Sequence, residues 1–93
     1  MVVLMDRKRL MRQLEAEATA CYRWSNGPGD RYSAHVHDYE KILYCEEGSI
    51  VFRLEAEARE VALEAGDRMV LAAGMRHSAV VGPGGCMFVE GRR

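Results

Sequence analysis

The chain has 93 residues, a formal net charge of −1 and a pI near 6.3, so no global field recruits nucleic acid or an acidic membrane. Hydrophobic residues make up 48% and charged residues 29%, an ordinary soluble-globular composition. A chain this short buries roughly 60–65% of its unfolded surface, a modest core that a partner subunit would help to cover.

The first five residues, MVVLM, are apolar but have neither a basic stretch before them nor a small-residue cleavage site after them, so they do not read as a signal peptide. No run approaches the roughly 18 apolar residues of a membrane span. The expectation is a cytoplasmic protein. Residues 6–17, DRKRLMRQLEAE, read as a helix with Asp6 as N-cap. Leu10, Met11, Leu14 and Ala18 give it a narrow apolar stripe. From residue 18 the pattern turns to β, and SNGPGD at 25–30 is a dense turn signal.

Short apolar runs then recur with turns between them. They cover 31–37, 41–45, 50–54, 59–63, 68–71, 76–81 and 86–90. Counting the run near 18–24, about eight strands and no second helix predict an all-β sandwich or small barrel. Gly48 and Gly66 fall where these runs are expected to reverse. The reading is one domain over 1–93, with a short N-terminal α-helix at about 6–17 and a barrel at about 18–90. Cys21, Cys45 and Cys86 are odd in number, widely spaced and without a CxxC. That argues against a disulfide framework and a thiolate zinc site, and Cys45 and Cys86, in apolar runs, read as reduced core residues.

Chemistry concentrates in residues 29–48, GDRYSAHVHDYEKILYCEEG. On a strand, residues i and i+2 share a face, so His35 and His37 sit roughly 7 Å apart at their backbones. Their ring nitrogens can converge on one ion. An HxH pair alone is a weak signal, since most such pairs are simply polar residues. Here Gly29 precedes His35 with five residues between, and Gly48 follows Lys41 with six between. Further on, GDRMVLAAGMRH carries Gly66, Gly74 and the third histidine, His77.

These two blocks resemble the two signature motifs of the cupin superfamily, G-x5-H-x-H-x3,4-E-x6-G and G-x5-P-x-G-x2-H-x3-N. They stand in the family's order with 17 residues between Gly48 and Gly66. The resemblance implies a small jelly-roll β-barrel. It also implies a divalent metal held by His35, His37 and His77. The sequence departs from the pattern at Lys41, Ala72 and Val81, the glutamate, proline and asparagine positions. A lysine ammonium has no lone pair to donate and repels a cation. The implied centre is therefore three-histidine, and iron, manganese, nickel, copper and zinc all suit imidazole ligands. Glu40, one position early, alternates to the outer face; a turn at 38–40 that broke this parity would make it a ligand.

Lys41 has two readings. It is a catalytic or anion-binding group inside the barrel, or the partner of Glu40 or Asp38 at the barrel mouth. Tyr39 is the aromatic expected to reach the pocket. Function has three readings. One is a metal-dependent enzyme acting on a small organic molecule by oxygenase, lyase or isomerase chemistry. The others are a non-catalytic binding or sensing module and a metal-free structural cupin. The expected partners are a small-molecule ligand or substrate and a second copy in a homodimer, with residues 1–5 as a candidate exchanged strand. No nucleic-acid or membrane partner is expected.

Overall fold

The computed structural model describes residues 7–93. Asp6, the expected N-cap, and the candidate dimer strand 1–5 lie outside them. One helix, α1 (Arg7–Glu15), precedes six strands: β1 (Thr19–Asn26), β2 (Arg31–His35), β3 (Lys41–Leu54), β4 (Arg59–Glu64), β5 (Arg68–Leu71) and β6 (His77–Arg92). All pairing is antiparallel, and the fold is the expected all-β jelly roll with one short helix.

Two expected reversals are not reversals. Residues 46–49 and 82–85 do not reverse the chain; β3 and β6 continue through them, which leaves six strands in place of about eight. Gly48 and Gly85 adopt φ of +74° and +78°, and the β3–β6 register shifts between Cys45 and Glu47 and again between Gly48 and Ile50. A glycine in that conformation makes a bulge and bends a strand as readily as it turns one.

The bends let each long strand serve two sheet halves. The first half of β3 pairs with β5 and with the end of β6, Lys41 opposite Arg92. Its second half pairs with β4 and with the start of β6, Leu54 opposite His77. β1 and β2 flank the two ends of β6.

The core between the halves is built from alternating residues such as Leu43, Cys45, Ile50, Phe52, Ala79 and Phe88, all buried. A second cluster covers the outer face. Leu10 and Leu14 of α1 pack on Ile42, Tyr44 and Val89. The apolar stripe read from the sequence is the surface that docks, and each buried leucine contributes about 1.5–3 kcal/mol. Glu17, just past the helix, accepts hydrogen bonds from Tyr44 and from Arg68, whose Nη2 lies 2.5 Å away. No helix among the described residues is long and apolar enough to cross a membrane.

Candidate metal centre

β2 ends at His35, so the expected strand over 31–37 is two residues shorter and His37 lies beyond it. His35 stands directly across from His77 in the β2–β6 register. A cross-strand pair, not only an i, i+2 pair, therefore sets the geometry. Ring centroids are 4.5 Å apart for His35–His77, 4.9 Å for His35–His37 and 5.2 Å for His37–His77. Each ring offers a nitrogen, and these nitrogens all lie within 4.8 Å of one another.

Two backbone carbonyls fix which nitrogen faces inward. His35 Nδ1 lies 2.7 Å from Ser33 O, and His77 Nδ1 lies 2.9 Å from Met75 O. A carbonyl oxygen only accepts, so each Nδ1 carries the proton and each Nε2 keeps its lone pair. The same arrangement orients histidine ligands around metals. Burial, then the charges of Lys41 and the other two histidines, hold His37 below the ordinary imidazole range. His77, 2% exposed, is lowered chiefly by burial, with His35 and Lys41 adding to it. Both environments favour neutral imidazole, the form that ligates. On this chemistry the donor set fits a divalent transition metal.

Lys41 does face inward, as alternation predicts, and lines a cavity of about 40 Å³ beside the cluster. His35, His77, Trp24 and Tyr32 line it too, against walls that include Phe52 and Phe88. Trp24 packs edge-on to both Tyr32 and Phe88. Tyr39 is not among the lining residues. Its ring instead sits 5.0 Å from that of His37, beneath the Arg92 guanidinium at 4.0 Å.

The partner of Lys41 is neither Glu40 nor Asp38. Its Nζ lies 2.6 Å from Oε2 of Glu90, a residue 2% exposed on β6. Glu40 is taken by Arg93, Nε to Oε1 at 2.5 Å, and stays outside the cluster. Glu90 carried no signal in the sequence. It lies in a plain apolar run, 49 positions from Lys41, and only the β3–β6 register brings the two together.

A family profile described as Cupin domain matches residues 22–90. The chain belongs to the cupin family. A search of curated proteins found no match. Among solved structures, this cupin is similar to an RmlC-like cupin from Shewanella frigidimarina, at 21% identity and a TM-score of 0.68, over 77% of this chain and 62% of that one. It is also similar to the polyketide cyclase RemF from Streptomyces resistomycificus, at 26% identity and a TM-score of 0.69, over 77% and 52% of the two chains. A third likeness is to a chain from the structures of the DMSP lyases RdDddP and RnDddQII, at 25% identity and a TM-score of 0.67, over 78% and 36%. The cupin thus spans 62% of the first of these chains and 52% of the second.

Proposed function

We propose that His35, His37 and His77 hold a divalent transition metal and that this cupin is a metal-dependent enzyme acting on a small organic molecule. The observation that carries the reading is the convergence of three ring nitrogens within 4.8 Å, two of the rings being oriented by carbonyls behind them. A bound metal would supply Lewis acidity or oxygen activation at the open positions of the centre. The chain's own residues would do the rest. Lys41 would face an anionic oxygen of the substrate with the donors that Glu90 leaves free. Trp24, Phe52 and Phe88 would exclude water and limit substrate size. The cyclase and lyase names of two similar structures agree with small-molecule chemistry on this fold.

Metal analysis of untagged protein after reconstitution with iron, manganese, nickel, copper and zinc tests the centre. Close to one equivalent of one of these metals, lost in a His77→Ala variant, is the expected result. Trace metal in every reconstitution would refute it. Turnover of a small-molecule library by loaded protein separates an enzyme from a binding or sensing module, which would show saturable binding without product.

A further inference from the structure

The cluster contains no carboxylate, and a lysine stands beside it. A divalent ion on three neutral imidazoles keeps both of its charges, and an ammonium at close range repels it. Left alone, Lys41 would oppose the metal that the histidines are arranged to hold.

Glu90 changes that balance. Its carboxylate is 2% exposed, and Oε2 lies 2.6 Å from Lys41 Nζ. Its other oxygen, Oε1, is buried without a hydrogen bond of normal geometry, and Tyr22, its neighbour across the β1–β6 register, is the hydroxyl that interacts with this carboxylate. A buried carboxylate is costly unless positive charge lies nearby. One such charge is Lys41. The second candidate is the centre itself, because Lys41, which Glu90 holds, lines the same cavity as His35 and His77. Glu90 is no member of the ligand cluster, which holds the three histidines alone.

Resting on the metal reading above, we propose that Glu90 is a positioning residue that makes the centre compatible with a divalent cation. Its Oε2 pins the Lys41 ammonium, and its charge brings the Lys41–Glu90 pair to zero beside the ion. Glu90 would thus supply, through Lys41, the negative charge that the motif position no longer supplies directly.

The test is a titration of the metal-free protein with Co²⁺, read by visible absorption against a competing chelator. It compares the native chain with Glu90→Gln, Lys41→Met and the double variant. Glu90→Gln is expected to weaken Co²⁺ binding at least ~10-fold, because it leaves the ammonium uncompensated. Lys41→Met is expected to tighten binding. The double variant replaces a neutral pair with two neutral side chains, and it should return to within roughly threefold of the native affinity. A structural role for Glu90 would leave the double variant as weak as Glu90→Gln. Equal affinity in Glu90→Gln and the native chain, or a double variant as weak as Glu90→Gln, overturns the proposal. Co²⁺ bands that change position in Glu90→Gln would make Glu90 a ligand and overturn it as well. If Glu90→Gln does not fold, comparing Lys41→Met with the double variant measures the same charge without the lysine. A native chain that takes up no Co²⁺ refutes the metal reading itself, whereas the variant pattern refutes only the role of Glu90.

Discussion

Gly48→Ala should be among the most damaging single-methyl additions to this barrel. At φ +74° an alanine costs about 1 kcal/mol for the left-handed conformation alone. The added Cβ would also lie 2.0 Å from the Gly85 carbonyl oxygen and 2.8 Å from its carbon, so backbone must move on backbone. Overpacking of that kind costs about 1–3 kcal/mol. The sum is about 2–4 kcal/mol, and at 4–8 °C per kcal/mol for a domain of this size the melting temperature falls by roughly 8–30 °C. The chain holds its own control. Gly29 has φ +73°, and a methyl group added there would meet nothing within 4 Å, so Gly29→Ala carries only the conformational cost, about 1 kcal/mol. Thermal melts of both variants, followed by far-UV circular dichroism and repeated in urea, give the difference. Equal losses at the two positions would refute the close approach of β3 and β6 at Gly48.

Further outcomes follow from burial and charge. In metal-free protein the folded-state values of His37 and His77 lie below the ordinary 6.5. As pH falls below about 6.5 the unfolded chain takes up protons first, so stability must drop as acidification proceeds toward those lowered values. A melting temperature that is flat between pH 7.5 and 5.5 would contradict neutral imidazoles in the cluster, and His77→Gln should reduce the slope. Leu14→Ala removes a fully buried side chain from the helix–sheet contact and should cost about 2–5 kcal/mol in urea unfolding; a loss below about 1 kcal/mol would mean that α1 is not docked as described. The Cys86 thiol, 3.8 Å away, and burial push Cys45 up, whereas Cys21 is partly exposed. A thiol reagent should therefore label Cys21 in the native protein and the other two only on unfolding; three equal rates would refute the buried pair.

The sequence carried the histidine cluster because its spacing is local or motif-borne. His35 and His37 are two residues apart, and His77 stands at a fixed distance from Gly66 and Gly74. The jelly roll was legible from strand-length apolar runs, and the helix from its stripe. What was lost depends on register. Lys41 faces inward because its strand alternates, Leu43 and Cys45 to the core and Ile42 and Tyr44 to the helix side, so its direction could be read. Its partner could not, since a salt bridge across 49 positions has no local pattern and nearer carboxylates, Asp38 and Glu40, competed for the assignment. Trp24 and Tyr32 reach the cavity from β1 and β2 by the same long-range pairing with β6.

The two strand bends explain why Lys41, Glu90 and His77 share one interior. Along β3 the core residues are Leu43 and Cys45, then Ile50, Phe52 and Leu54. The step from 45 to 50 is odd, so strict alternation would turn one half of the strand inside out. Along β6 the core residues are Ala79 and Val81, then Cys86 and Phe88, and the step from 81 to 86 is odd as well. Each odd step contains one of the glycines that approach each other, Gly48 and Gly85. Two matched bulges thus correct two parity errors at once. Were only one present, either Lys41 or Glu90 would point to the outer face, away from its partner. Glycine at these positions is therefore tied to the centre, not only to the sheet: it holds the ammonium and its carboxylate on the same side as His77.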